Sequence, residues 1–392
     1  MISENKKKYQ RCTNCIMDTT DPLIEFDEYG VCNHCNYYKQ YDQNQKLEGE
    51  EAQNQIDAMV AEIKLDGKGN DYDCIMGLSG GVDSSYLAYY ATKELGLRTL
   101  VVHVDSGWNS ELAVNNIENI VKKLDLDLHT LVLDWDEIRD LQRAFFKSSV
   151  PNCDIPQDHA FIASLYSEAK KFKLRHILNG GNMATESILP SAWGYDASDL
   201  IHLKDIHNKY GEKKLKTYPT ISLLQKEIIY PKIYGLKVHR PLEFIDYNKK
   251  KAKNFLINEL GWRDYGGKHY ESSFTKFFQA YYLPEKYGFD KRLAHYSSLI
   301  VSGQMTREQA MQKMRKPVYE PEELEQDMEF IIKKLGFSQS EWNHIMEMSP
   351  KTEHDFKNEY KFKEYLNIVS YIISLPVRIL KKIIRMILKS FK

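Results

Sequence analysis

The chain is short of several things. No stretch reaches the roughly 18 to 20 continuous apolar residues of a membrane-spanning helix, so a helical membrane protein is not expected. Six cysteines among 392 residues are too few for a disulfide scaffold, the device of small extracellular domains. An excess of one charge is missing too. Lys and Arg number 54 and Asp and Glu 55, which leaves −1, whereas a protein that coats nucleic acid carries a marked basic excess. The first ten residues are polar and lysine-rich with no apolar run behind them, so a signal peptide is not expected. No internal repeat and no G-x-x-x-x-G-K-[ST] phosphate loop occur. What remains, 42% hydrophobic and 28% charged residues, is the composition of a globular chain. Its length suits one large or two to three ordinary domains.

The most informative stretch is DCIMGLSGGVDSSYLAYYATKELG, residues 73 to 96. Cys74, Ile75, Met76 and Leu78 read as a short buried strand. Tyr86, Leu87, Tyr90, Ala91 and Leu95 recur at helical spacing, and Gly96 suits a helix C-terminus. Between them stand Ser79, Gly80, Gly81, Asp83, Ser84 and Ser85. The glycines permit unusual backbone angles and close approach of a ligand, and the serines add donors. Free N–H groups at a helix start favour an anion, phosphate above all. The plainer alternative is a tight turn with a capped helix.

Cys12-x-x-Cys15 and Cys32-x-x-Cys35 are 16 residues apart, the spacing of a four-cysteine zinc ribbon or knuckle. A closed four-sulfur site leaves no position for substrate, so Zn2+ there is structural. DPLIEFDEYGVC between the pairs reads as a short hairpin, and His34 as a neighbour of the site. Residues 38 to 70 read as a polar connector containing one helix.

Strand and helix signals alternate from residue 73. Arg98 to Val104 is a near-continuous apolar strand, as in a parallel sheet buried on both faces, and it ends in Asp105-Ser106-Gly107-Trp108. Helices are expected at Leu112–Leu124, Glu137–Phe146 and Asp158–Phe172, and strands at Leu128–Leu133 and His176–Leu178. The last strand runs into Asn179-Gly180-Gly181-Asn182-Met183-Ala184-Thr185-Glu186. Ligands of open parallel sheets bind outside the carboxyl ends of the strands. Asp105, Ser106, Gly180, Gly181, Asn182 and Glu186 are therefore candidates to share one nucleotide with the SGGVDSS loop. Capping of strand or helix ends is the alternative for Asp105, Asn182 and Glu186. His103 reads as a satisfied core histidine, Cys153 has no assigned role, and the lysines of 204–253 read as a solvated face or a channel for an anionic sugar, with a tRNA face as the rival.

SGGVDSS resembles the pyrophosphate loop, S-G-G-x-D-S, of the PP-loop ATP pyrophosphatases, which split ATP between the α- and β-phosphates. Helical patterns dominate from Asn248, and GWRDYGGKHYESSFTKFFQ contains a loop with Lys268 and His269. Together with CTNCIMDTTDPLIEFDEYGVCNHC and NGGNMATES, this stretch resembles the N-acetyl sugar amidotransferases, from Cys12 to about residue 345. The resemblance implies an α/β fold with a parallel PP-loop sheet (adenine nucleotide alpha-hydrolase-like) and helices on both faces. The expected units are a zinc module at 1–45, a connector helix at 46–70, the ATP-binding domain at 71–247, a helical region at 248–350, and a linker with a basic tail at 351–392.

The resemblance also implies a reaction: an acetamido group of an acidic, nucleotide-linked or free sugar is O-adenylated, ammonia attacks, and AMP leaves an acetamidino group. This serves bacterial O-antigen or related glycan assembly in the cytoplasm. ATP and Mg2+ are the implied cofactors, Asp83 positions Mg2+ or phosphates, and Lys268 with His269 acts at the reacting phosphate. Two partners are implied, a glutaminase and a cyclase-like ammonia-delivering subunit, since no glutaminase nucleophile is expected in this chain. No nucleic acid is expected as a partner. A tRNA-thiolating PP-loop enzyme is the rival reading, although it usually needs a cysteine pair near the core. A non-catalytic zinc-ribbon adaptor is another, against which the intact SGGVDSS loop argues. Finally, residues 366 to 392 hold six Lys and Arg and no Asp or Glu, with Ile379, Ile383, Ile384 and Ile387 on one stripe. That pattern suits an interfacial helix on anionic lipid.

Overall fold

The computed structural model describes residues 8–267 and 270–365. Helices α1 (Asn33–Asn44) and α2 (Gly49–Asp66) precede the first strand, β1 (Cys74–Gly77). An alternating series follows: α3 (Val82–Tyr89), β2 (Thr99–Asp105), α4 (Glu111–Leu124), β3 (Asp127–Val132), α5 (Trp135–Ser148), α6 (Ile155–Lys171) and β4 (His176–Leu178). Short α7 (Met183–Glu186) and α8 (Leu200–Tyr210) lead to β5 (Lys237–His239). The rest is helical: α9 (Lys249–Leu260), α10 (Ser273–Phe277), α11 (Leu283–Tyr287), α12 (Lys291–Val301), α13 (Arg307–Met314), α14 (Pro321–Leu335) and α15 (Gln339–Glu347).

The five strands lie in the order β3-β2-β1-β4-β5, all parallel. Cys74, Met76 and Val101 point into a core with α2, α3, α4 and α9. Ile75, Leu100, Val102 and Ile177 point the other way, onto Ala169 and Leu174. Both faces are covered, which is why the central strands read as continuous apolar runs. A third core, rich in aromatics, joins Trp108, Phe145 and Phe146 to Phe274, Phe277, Tyr282 and Trp342. It fixes the C-terminal helices against α5.

Four local details differ from the sequence expectation. Residues 50–65 belong to a helix that buries Ile56, Met59 and Ile63 in the sheet core, so α2 is part of the main body and not a polar connector. The breaker-rich stretch 149–160 already contains the start of α6, at Ile155. Pro156 sits in the first turn, where its missing N–H is no loss. The preceding segment also forms α1, starting inside the second cysteine pair. The expected hairpin is reduced to isolated antiparallel bridges, Arg11 with Asp18 and Phe26 with Cys32.

Candidate active site

The strand order reverses around β1, so the crevice between β1 and β4 lies at the switch point where α/β sheets bind ligands. Gly80 takes φ +81°, and a Cβ there would stand 2.9 Å from the Ala113 carbonyl oxygen. Only glycine lets the chain turn so close to α4. Trp262 Nε1 donates to the Gly80 carbonyl at 2.8 Å and holds the turn. Ser79 Oγ and Ser84 Oγ meet at 3.1 Å, and the Gly81 N–H donates to Ser79 Oγ at 3.2 Å. A Cβ on Gly81 would come within 3.1 to 3.4 Å of Ser79 Oγ, Glu271 Oε1 and Tyr265 OH. The bare backbone thus forms a cradle at the start of α3 that a side chain would fill.

Asp83 occupies the first turn of α3. Tyr247 OH donates to its Oδ1 at 2.5 Å, and Lys249 Nζ lies 3.9 Å from Oδ2. Burial and the Asp83 carboxylate hold the Tyr247 phenol well above its ordinary range, so it stays a donor. Gly180 faces this turn, and a Cβ on it would stand 3.3 Å from the Asp83 carbonyl. Asn182 caps α7, accepting from Thr185 N at 3.0 Å, and Glu186 lies exposed on that helix at the cavity.

The expected residues converge unevenly. Ser79, Gly81, Asp83, Ser84, Ser106, Gly180, Gly181, Asn182 and Glu186 line one cavity of about 2270 Å3. Gly80 shapes the turn from behind. Ser85 is fully buried in α3 and does not line the cavity. Asp105 accepts from Gly107 N at 2.8 Å and Asn109 Nδ2 at 3.0 Å, as a strand-end cap does. His103 is satisfied on both ring nitrogens, by the Leu78 carbonyl and by Asn109. Lys268 and His269 lie outside the described residues, as does the tail from 366 onward. Their flanks do not: Gly266, Gly267, Tyr270 and Glu271 line the cavity. Ser110 N donates to the Glu271 carbonyl at 2.9 Å, which ties Glu271 to the start of α4.

Other lining residues were not read from the sequence. Asp154 just before α6, Asp158 in its first turn, Arg240 and Tyr265 come from separate segments, and Lys253 belongs to the lysines read above as a solvated face or a sugar channel. Arg292, Tyr296, Gln309, Lys313 and Lys316 of the C-terminal region line it as well. A single small-molecule pocket is typically about 300 to 1,000 Å3, so this space accommodates more than one ligand. Asp83 and Glu186 are among the carboxylates that line it.

The four N-terminal cysteines form a separate centre. All are buried and reduced, and their sulfurs lie within 4.8 Å of one another. Cys12 Sγ and Cys35 Sγ are 3.8 Å apart, Cys15 Sγ and Cys32 Sγ 3.6 Å. A tetrahedral zinc with bonds of about 2.3 Å demands sulfur edges of about 3.8 Å, so the cluster fits the ion. Cys15 N and Cys32 N donate to Cys12 Sγ at 3.4 and 3.2 Å, and the neighbouring cysteine side chains, Cys15 foremost, hold the Cys12 thiol well below its ordinary range. His34 pairs with Asp21 at 2.7 Å and is no ligand. The knuckle is bolted to the C-terminal helices. Arg307 donates to the carbonyls of Cys15 and Cys12 at 3.0 and 3.1 Å, and Ile16 N donates to Ser297 Oγ at 3.2 Å.

Two segments of the chain match known families. Residues 53–215 match the NAD synthase family, and residues 271–368 match the domain described as "LPS biosynthesis protein WbpG-like, C-terminal domain". An uncharacterized protein of Methanocaldococcus jannaschii is 20% identical over 78% of this chain and 94% of its own length. The glutamine-hydrolyzing GMP synthase of Elusimicrobium minutum is 29% identical over 52% of this chain, which spans only 34% of that enzyme. Among solved structures, the NH3-dependent NAD synthetase of Campylobacter jejuni is similar at 17% identity and TM-score 0.28, over 53% of this chain and 84% of that one. The NMN synthetase of Francisella tularensis is similar at 14% identity and TM-score 0.27, over 58% and 93%. No described helix is long and apolar enough to cross a membrane. The chain thus joins a segment similar to the NAD synthases to one similar to the C-terminal domain of the WbpG-like LPS biosynthesis proteins.

Proposed function

We propose that this chain is an ATP-dependent amidotransferase that converts an acetamido group of an acidic, nucleotide-linked sugar to an acetamidino group, in the assembly of O-antigen or a related surface glycan. One observation carries the reading. Residues of the SGGVDSS loop and of the segment that matches the WbpG-like domain, among them Arg292, Tyr296 and Lys313, line the same cavity. That shared lining supports a nucleotide-activated reaction on a sugar of lipopolysaccharide assembly.

An amide oxygen is a poor leaving group, so the carbonyl must be activated first. The Gly81 backbone, Ser79 and Ser84 receive the phosphates released as pyrophosphate. Asp83 and Glu186 hold Mg2+, which when bound offsets charge on the phosphates. Arg240, Lys249 and Lys253 add cationic walls. Fixed donors and charges aimed at developing charge are the main source of such catalysis. Adenylation makes the amide oxygen a leaving group, ammonia adds to the carbon, and AMP departs. Lys268 and His269 act at the reacting phosphate, where the lysine offsets developing charge. Ammonia is supplied by a glutaminase and a cyclase-like subunit that delivers it. The basic tail rests on anionic membrane, which flotation of full-length protein but not of a form ending at residue 365 would report.

Incubation with ATP, ammonium chloride and either a panel of acetamido sugars or bulk tRNA tests the assignment. Mass spectrometry should find a sugar in which NH replaces O. Modification of tRNA, or of neither, refutes it.

A further inference from the structure

We propose that the four-cysteine knuckle positions one side of the nucleotide cavity, and that Tyr41, Ser298 and Ser302 are the positioning residues through which it acts. The proposal rests on the nucleotide-binding half of the reading above and is independent of the sugar.

Helix α7 has only four residues, Met183 to Glu186. A single turn has too few hydrogen bonds of its own to stay formed, and its end groups need partners from elsewhere. Yet Gly180, Gly181, Asn182 and Glu186, on this turn and just before it, line the cavity. Asn182 supplies one partner locally, by accepting from Thr185 N. The other ties arrive from two directions, and both lead back to the knuckle.

The first runs through α1. This helix starts inside the second cysteine pair and carries Cys35 in its first turn. Further along it, Tyr41 OH donates to Glu243 Oε2 at 2.9 Å, and Glu243 Oε1 accepts from Met183 N, the start of α7, at 3.1 Å. Burial and the Glu243 carboxylate hold the Tyr41 phenol well above its ordinary range, so it remains a donor. A bond to a charged acceptor is stronger than a neutral one.

The second runs through α12. Ile16 N, beside Cys15, donates to Ser297 Oγ at 3.2 Å. The adjacent Ser298 Oγ accepts from Ile188 N, just past α7, at 3.0 Å, and Ser302 Oγ donates to the Ala184 carbonyl at 2.7 Å. Apolar packing follows the same path, since one core joins the four cysteines and Ile16 to Ile188, Leu293 and Ala294. Beyond α12, Gln304 accepts from Lys249 N at 2.9 Å and donates to the carbonyl of Tyr247, whose phenol holds Asp83. The short turn is thus gripped at both ends by elements anchored on the knuckle. These bonds lie outside the two cores of the sheet. Losing one frees the turn without opening the sheet, so ligand affinity falls before global stability does.

Tyr41→Phe and Ser302→Ala test this against wild type, since each removes one hydroxyl and keeps the packing. Both should retain about one zinc per chain and unfold within a few degrees of wild type. Hydrogen exchange at the amides of residues 183 to 188 should rise, and ATP with Mg2+ should bind on the order of tenfold more weakly. Tyr72→Phe, which removes a phenol bonded to Asp127 at the β3 edge, should leave ATP affinity unchanged. In wild type, chelation of zinc should raise exchange at 183 to 188 before exchange in β2. Unchanged ATP affinity in either test variant overturns the proposal, and so does an equal loss in Tyr72→Phe. Loss of zinc or of cooperative unfolding in a test variant overturns it as well, because the bonds would then support the fold and not the site. So does zinc removal that leaves 183 to 188 protected, or that exposes them only together with β2. A wild type that binds no ATP removes the nucleotide reading and this role with it. A wild type that binds ATP yet acts on no acetamido sugar removes the amidation reading alone.

Discussion

Asp83→Asn separates a nucleotide site from a capped turn. Asn keeps the shape and still accepts from Tyr247, which now reaches it at 2.5 Å. Three losses follow from removing the charge. The Tyr247 bond becomes neutral, which costs about 1 kcal/mol. The contact with Lys249, at 3.9 Å and with side chains 19% and 23% exposed, contributes at most about 1 kcal/mol. The favourable charge at the start of α3 is worth about 0.3 to 1 kcal/mol. The sum is about 2 kcal/mol, a fall of a few degrees in unfolding temperature for a chain of this size. If Asp83 organises the metal and phosphates, the lost transition-state stabilisation is about 3 kcal/mol, on the order of a hundredfold in rate. The assay is pyrophosphate release with ammonium chloride as nitrogen source, beside thermal unfolding. Turnover close to wild type would refute the reasoning, and so would a collapse of the fold, which would make Asp83 structural.

Metal analysis of the purified protein should find about one zinc per chain; Cys12→Ser should lose it and destabilise α12 and α13, which Ser297 and Arg307 tie to the knuckle. A metal-free wild type of equal stability would contradict this. Gly80→Ala forces a Cβ to 2.9 Å from Ala113 O at φ +81° and should abolish most pyrophosphate release, whereas Gly266→Ala, at φ +87° with nothing within 4 Å, should cost only about 1 to 2 kcal/mol of backbone strain. His202 is buried between Phe145, Tyr195 and Phe356, and neither ring nitrogen meets a hydrogen-bond partner among the described residues. Burial lowers its pKa from 6.5 to about 4, so the unfolded chain takes up a proton that the folded one refuses. Stability should then fall by up to about 3 kcal/mol as pH drops from 6.5 to 4. Urea unfolding of His202→Leu should show a smaller acid loss, and an unchanged slope would reject that cause.

The sheet was legible in the sequence because its central strands are buried on both faces, which leaves apolar runs such as Thr99–Val104 between turn signals. The pyrophosphate loop and the cysteine pairs were legible for a related reason: each is a local motif whose chemistry fixes residue type and spacing. What could not be read is what packing brings together from afar. Tyr247 and Asp83 are 164 residues apart, and Arg307 reaches a carbonyl 295 residues away at Cys12. Nothing in the composition of residues 38–70 announces that Ile56 and Ile63 enter the core, since a polar face outnumbers them.

The central claim is that the acetamido oxygen itself attacks the α-phosphate of ATP. Transfer of an 18O label tests it most directly. An acetamido sugar labelled at the carbonyl oxygen is incubated with ATP, Mg2+ and ammonium chloride, and the nucleotide products are weighed. The account predicts AMP that carries the label, with unlabelled pyrophosphate and an amidine sugar free of it. Label in orthophosphate beside ADP, or label retained in the sugar while ATP is consumed, would contradict it.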